Sequence, residues 1–291
     1  IGKEGYVLKN PLRYPGAKSK LFTYVKKLLE VEGLRGCTFY EPFAGSATLS
    51  LQLLEDGIID NAIINEKDPL LYHFWYSVFN YTDELIDLIS IKEVTIDTWN
   101  ECARYRELTY LFGKQSYEIG FAGLFLNRTN FSGILKANPI GGKKQDSQYK
   151  LDCRFNKLKI IESIVEISKY KHKIKVYNED AIDFMQRELR YKRNDRTFVY
   201  IDPPYYREGP GLYRYFYSEA QHKELADFIK SKKFPWLLSY DDTPEIRKLY
   251  NRRTCINLYL DYSVKTSKKG KEILISDLEI PPMEQEQVLV G

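Results

Sequence analysis

The residues best suited to chemistry are four carboxylates, each placed after a short β-type run. Glu41 follows Cys37 to Tyr40, Glu66 follows Ala62 to Asn65, Asp180 comes just after Ile174 to Asn178, and Asp202 follows Thr197 to Ile201. If these runs are parallel strands, all four acids stand at the sheet edge where such architectures bind ligands, and together they suit a cation, hydroxyls or amino groups. The sharpest feature is Asp202-Pro203-Pro204-Tyr205. An exocyclic amino group on a base is a poor nucleophile because its lone pair is delocalised into the ring. Two fixed oxygen acceptors on its hydrogens favour the pyramidal, reactive form. The Asp202 carboxylate supplies one and the Pro203 carbonyl the other, while the prolines stiffen the turn and remove competing N–H groups. Tyr205 offers an aromatic face for an extruded base. The bland alternative is a rigid strand-end turn with a packed tyrosine.

Those acids need elements to hold them. Seven runs read as strands: the four above, then Pro235 to Ser239, Ile256 to Tyr262 and Glu272 to Ile275. Helical patterns fit between them at Ser19 to Glu32, Thr48 to Asp56, Ala181 to Tyr191, Glu219 to Lys230 and Pro244 to Asn251, with Ser218 as an N-cap. Alternating strands and helices imply a parallel, doubly wound α/β sheet. The last two strands are joined by a link too short for a parallel crossover, so they should form an antiparallel hairpin. About a hundred residues separate the second and third strands, far more than one crossover needs. This insertion has helical patterns at Leu70 to Ser90, Asp97 to Phe112, Tyr117 to Asn127 and Asn156 to Tyr170, broken by a basic, turn-rich piece with a Gly-containing loop at Gly141 to Gln148. The expected division is residues 1–70 and 172–281 as one unit, 71–171 as a helical second unit, and 282–291 as a loose tail.

Composition narrows the function classes. With 43% apolar and 29% charged residues, the chain is an ordinary globular one. It contains no uninterrupted apolar run of the roughly 18 residues that a membrane span requires. Four widely spaced cysteines and three histidines argue against a zinc site or a disulfide framework, so no metal is expected and a reducing compartment fits. The start at Ile1, without a charged-then-apolar leader, leads to the expectation of a trimmed cytoplasmic chain. The net charge is only +4, yet Asn127 to Lys175 carries 12 Lys/Arg against four Asp/Glu, and Glu245 to Lys271 repeats the bias. Such regions suit a phosphate backbone, or else are solvated surface.

Taken together, these residues resemble the Dam-type, alpha-group DNA adenine-N6 methyltransferases, which use S-adenosylmethionine. Leu12-Arg13-Tyr14-Pro15-Gly16-Ala17-Lys18 is similar to the family's N-terminal motif. Tyr40-Glu41-Pro42-Phe43-Ala44-Gly45-Ser46 is similar to its cofactor loop, Asn65-Glu66-Lys67-Asp68 to its second acidic motif, and Asp202-Pro203-Pro204-Tyr205 to its catalytic motif. The resemblance implies a seven-stranded mixed sheet of the Rossmann-like methyltransferase type with a helical, DNA-recognising insertion. It implies cofactor contacts from the N-terminal motif (Tyr14, Pro15, Gly16, Ala17, Lys18), from the loop Glu41 to Ala47, and from Glu66, Lys67, Asp180, Ala181 and Asp202. Glu66 would meet the ribose hydroxyls and Asp180 the adenine amino group, although Asp180 also reads as an N-cap. Family members often have Asp where Glu66 stands, and Trp and Gly where Tyr14 and Ala17 stand.

Phe125 to Gly133 resembles the start of the family's target-recognition segment, which implies DNA contacts from Asn127, Arg128, Asn130, Ser132, Lys136 and Asn138, with Lys143 and Lys144 beyond. A Phe-Asn-Val-Pro hairpin typical of GATC-reading members is replaced by Gly141-Gly142-Lys143-Lys144-Gln145, so that specificity is not carried over. His222 reads as a structural helix residue. The implied reaction is methyl transfer from a sulfonium to N6 of a flipped adenine in double-stranded DNA, needing no metal, for restriction-modification alongside a separate endonuclease or for epigenetic marking. The loop Tyr206 to Tyr217 is expected to fold over the pocket. The alternatives are an amino-methyltransferase on RNA or protein glutamine, and a catalytically silent DNA-binding protein of the same fold.

Overall fold

The computed structural model describes residues 8–13, 18–251, 253–260 and 270–278. The motif residues Tyr14, Pro15, Gly16 and Ala17, the side chain of Lys18 and the tail over 282–291 lie outside the described residues.

All seven expected strands form one sheet. They are β1 (Thr38–Glu41), β2 (Asn61–Asn65), β3 (Ile174–Tyr177), β4 (Thr197–Ile201), β5 (Trp236–Asp241), β6 (Thr254–Leu260) and β7 (Gly270–Ser276), in the order β3-β2-β1-β4-β5-β7-β6. The first five in that order are parallel, and β7 runs antiparallel to both β5 and β6. The last two strands are thus a hairpin, as the short link between them requires, with β7 inserted against β5. The chain leaves β1 toward β2 on one side and returns to it as β4 on the other, so the strand order reverses at the β1/β4 junction. In such sheets the crevice beyond the carboxyl ends at this point is the ligand site.

Period-two alternation puts side chains on both faces of the sheet, and helices cover both. One face carries Phe39, Ile64, Phe198, Tyr200 and Leu237; the other carries Tyr40, Ile63, Val199, Ile201 and Leu238. On the second face pack α8 (Ala181–Glu188), α10 (Glu219–Lys230) and α11 (Pro244–Leu249). On the first pack α1 (Lys18–Val31) and α2 (Thr48–Glu55), and the same apolar cluster runs on through the insertion: α3 (Pro69–Asn80), α4 (Thr82–Ile91), α5 (Ile96–Arg104), α6 (Ser116–Thr129) and α7 (Lys157–Ser168). The single helical pattern over Leu70 to Ser90 is two helices, because Tyr81 leaves helical geometry (φ −139°, ψ 47°) and both ends α3 and precedes α4. A one-turn α9 (Gly209–Leu212) lies within the loop after β4.

Helix α6 is buried all round from Ile119 to Asn127, which a helix tolerates only inside a core. Its two glycines let it lie against α3: a Cβ on Gly120 would stand 2.7 Å from the His73 carbonyl, and one on Gly123 would run into the Leu70 carbonyl. Among the described residues no helix is long and apolar enough to cross a membrane.

Candidate active site

A cavity of about 310 Å³ opens at the carboxyl ends of the parallel strands, lined by Pro42, Phe43, Gly45, Glu66, Lys67, Asp180, Ala181, Asp202 and Pro204 from the sheet edge. That volume is at the lower end for small-molecule sites. Asn65, fully buried at the end of β2, ties three strand ends together. Its amide donates to the Pro42 and Glu179 carbonyls (3.0 and 3.2 Å) and its oxygen accepts from Glu179 N–H (2.9 Å). The next residue, Glu66, therefore projects from a fixed base. Its Oε2 accepts from Gly45 N–H (2.8 Å) and its Oε1 from Asp68 N–H (2.9 Å). Burial pushes the Glu66 carboxyl up to about 7, against the opposing pull of those backbone donors.

Asp180 caps α8 by accepting from Ile182 N–H (3.0 Å), while its other oxygen lies 4.0 Å from Lys67 Nζ and the residue lines the cavity. Capping and a cavity-facing position coexist. The loop after β1 is held from the insertion, since the Trp75 indole of α3 donates to the Gly45 carbonyl (2.9 Å). Gly45 and Ala47 both adopt positive φ (49° and 47°) at the turn into α2. Glu41 departs from the expectation of a cavity-facing acid. It is 2% exposed, and its carboxylate accepts from the Ser50 N–H (3.3 Å) and hydroxyl in the first turn of α2. As the last strand residue it points to the side opposite Tyr40 and is absent from the cavity lining. Ala44, Ser46 and Ala47 are also buried, away from the cavity lining.

Asp202 leaves β4 beside β5. Its Oδ1 accepts from the Ser239 hydroxyl (2.7 Å), and Ser239 Oγ lies 2.8 Å from the Tyr200 hydroxyl. Past the turn, Asp241 at the end of β5 accepts from Tyr206 N–H and Arg207 N–H (both 2.9 Å). Pro203 is buried; Tyr205 is half-buried against the second-face core.

The loop after the turn crosses the cavity. Leu212, Tyr213, Arg214, Tyr215, Phe216 and Tyr217 all line it, and the Tyr217 ring meets Phe43 edge-on at 5.7 Å. Arg214 pairs with Asp68 (2.7 Å), both nearly buried, and also donates to the Arg106 carbonyl of the insertion (2.5 Å). His222 is buried beneath this loop and bonds the Tyr240 hydroxyl through Nδ1 (2.6 Å); burial lowers it to about 4, so it stays neutral and structural.

The insertion supplies the opposite wall through Asn127, Ser132, Gly133, Ile134 and Leu135, with Arg13 of the N-terminal segment beside them. Here the asparagines differ from their expected role. Asn127 is 3% exposed, and its amide brackets Arg13, accepting from its N–H (2.6 Å) and donating to its carbonyl (2.9 Å) and to Gly133 (3.0 Å). Asn130 is fully buried: its oxygen accepts from the Trp99 indole (2.7 Å), and its amide donates to the Ile134 and Leu135 carbonyls (2.9 and 3.0 Å). Both put most of their hydrogen-bonding groups into folding the turn, and Asn127 lines the cavity as well. Arg128 is half-buried, Lys136 is exposed and donates to the Pro210 and Tyr213 carbonyls of the crossing loop, and Asn138, Lys143 and Lys144 are exposed. Ser239, Asp241, Trp75 and Arg214 carry no local signal; their importance comes from partners 30 or more positions away in the chain.

Comparison with known proteins agrees with the family resemblance. Over 218 residues, 74% of this chain and 76% of the relative, the sequence is 22% identical to the Type II methyltransferase M.CviBI of Paramecium bursaria Chlorella virus NC1A. Among solved structures, a candidate RNA methyltransferase from Pyrococcus horikoshii is 11% identical and covers 95% of this chain and 91% of its own, with a TM-score of 0.43. Another, SMU.776 complexed with SAH, is 10% identical and covers 87% of this chain and 47% of its own at a TM-score of 0.37. At these scores neither structure bears on the site. The D12 class N6 adenine-specific DNA methyltransferase model matches residues 14–277, a span that takes in every strand of the sheet, and the chain belongs to that family.

Proposed function

We propose that this protein transfers a methyl group to N6 of an adenine flipped out of duplex DNA. The methyl donor is S-adenosylmethionine. The observation that carries the reading is one shared cavity in which Asp202 and Pro204 stand with Glu66 and Asp180. Glu66 and Asp180 would hold the donor by its hydroxyls and its amino group, with Phe43 and Gly45 beside them. When bound, the donor supplies a methyl group on a positive sulfonium that leaves as a neutral thioether.

The chain's own residues do the rest. Asp202 and the Pro203 carbonyl accept from the target amino group and draw its lone pair out of conjugation. Tyr205 supplies a stacking face. The loop 206–217 excludes water. We assign residues 1–70 and 172–281 to methyl transfer and 71–171 to target recognition, where Arg128, Ser132, Lys136, Asn138, Lys143 and Lys144 meet phosphates and base edges, and Asn127 and Asn130 shape the turn. The work is that of a site-specific enzyme in the cytoplasm, on the nucleoid when engaged with DNA, serving restriction-modification or epigenetic marking.

The test is transfer of tritium from labelled donor to duplex DNA, RNA and protein offered in parallel. The reading predicts label in duplex DNA. Label confined to RNA or protein would overturn it.

A further inference from the structure

The acid of the methyl-transfer turn does not stand alone, and the strand beside it touches the turn at both ends. Ser239 and Asp241 are two apart on β5, hence on the same side of the strand. The first reaches Asp202, where the turn begins, and the second reaches the N–H groups of Tyr206 and Arg207, where it ends. Between these anchors lie Pro203 and Pro204, which have no N–H with which to fix themselves. The turn depends on β5 for its placement.

The hydrogen bonds at the first anchor have a direction. An ionised carboxylate only accepts, so the single Ser239 proton lies on its 2.7 Å bond to Asp202 Oδ1. The Tyr200 hydroxyl, 2.8 Å from Ser239 Oγ, is placed to donate to it. Tyr200 and Ser239 are each 1% exposed, so the chain runs from the core to the cavity wall. Burial holds the Tyr200 hydroxyl well above the usual tyrosine range, so it keeps the proton that orders the chain.

We infer that Ser239 and Asp241 are positioning residues for methyl transfer: Ser239, oriented by Tyr200, fixes the rotamer of Asp202 and directs its acceptor lone pairs at the incoming amino group, while Asp241 locks the far end of the turn. The inference rests on the proposed amino-group methylation and adds residues that act through Asp202. Neither residue lines the cavity, so the expected effect is on the rate more than on binding of donor or DNA.

The test measures kcat and KM for Ser239→Ala, Ser239→Thr and Asp241→Asn on duplex DNA, with calorimetry of S-adenosylhomocysteine binding and thermal melts alongside. Misplacing a reacting group by a fraction of an ångström to an ångström costs on the order of ten- to a hundredfold, so Ser239→Ala should lower kcat by about thirtyfold. KM and S-adenosylhomocysteine affinity should stay within about threefold. Ser239→Thr keeps the hydroxyl and should recover most of the rate; Asp241→Asn should cost about tenfold in kcat. A wild-type kcat in Ser239→Ala overturns the inference. So does an equal loss in Ser239→Ala and Ser239→Thr, which traces the effect to packing. Should Ser239→Ala not fold, Tyr200→Phe replaces it, with about a threefold loss expected from the weakened chain and an unchanged kcat contradicting it. A wild-type protein that labels no duplex sinks the methylation reading and this inference together, whereas an active wild type indifferent to Ser239 sinks only the inference.

Discussion

The strand-end wall of the cavity holds its acids through backbone geometry and buried keystones, whereas the insertion wall holds a basic turn on two buried asparagines and leaves its lysines outside. On the first side, Asn65, Ser239 and Asp241 fix the bases of Glu66 and of the Asp202 turn, and each group that faces the cavity has little freedom. On the second, Asn127 and Asn130 fix the chain path, and the side chains beyond it, Lys143 and Lys144, are solvated. Chemistry needs atoms fixed to fractions of an ångström. Reading a polyanion needs charge on a defined frame, and phosphate contacts tolerate mobile side chains. The loop 206–217 joins the walls, through Arg214 to Asp68 and through Lys136 to its carbonyls.

That joint is the first place to break the comparison. Removing Arg214 strands the Asp68 carboxylate in a buried site, so Arg214→Ala should cost about 4 kcal/mol in urea unfolding and expose the loop to proteolysis. A loss below about 1 kcal/mol would mean that the two walls are independent. The second variant is Asn130→Ala, which leaves the Trp99 indole and two carbonyls unpaired and should cost about 3 kcal/mol. If Asn130 instead reads DNA, affinity will fall with stability unchanged.

Glu66 sharpens the strand-end side. Burial pushes its carboxyl up to about 7. On the proposed role, it is ionised above that pH and would accept from donor hydroxyls; below it, binding would have to expel a proton. Donor affinity should therefore be flat above about pH 7 and fall by up to about tenfold, 1.4 kcal/mol, per pH unit below it. Calorimetry in buffers of different ionisation enthalpy checks this, and Glu66→Gln should remove the dependence. The smallest effect belongs to the outer cations. Replacing Lys143 and Lys144 together with Ala should weaken DNA binding modestly and flatten its salt slope by up to about two units. An unchanged slope would take that loop out of the interface.

The strands were legible because their β-branched runs are short and bounded, and so was the parallel order, because helices alternate with them. Glu66, Asp180 and Asp202 were legible for the same reason: an acid after a parallel strand stands at the ligand edge. Glu41 follows its strand in the same way, yet its side chain turns inward to the first turn of α2, a one-residue matter of facing that a period-two pattern does not settle at a strand end. The burial of Asn127 and Asn130 was not legible, because a polar residue in a basic turn reads as exposed, while buried amides that close turns look the same in sequence. The break at Tyr81 carries no proline or glycine to announce it. Ser239, Asp241 and Arg214 act over 34 to 146 residues of chain, a range at which local pattern carries nothing.

The most direct test of the central claim is nucleoside mass spectrometry of duplex DNA after incubation with labelled S-adenosylmethionine and either wild-type protein or Asp202→Ala. The account predicts labelled N6-methyldeoxyadenosine from the wild type and a loss of about a thousandfold in rate for Asp202→Ala, with DNA affinity within a few-fold. Near-wild-type turnover by Asp202→Ala, or label on any other nucleoside, would contradict it.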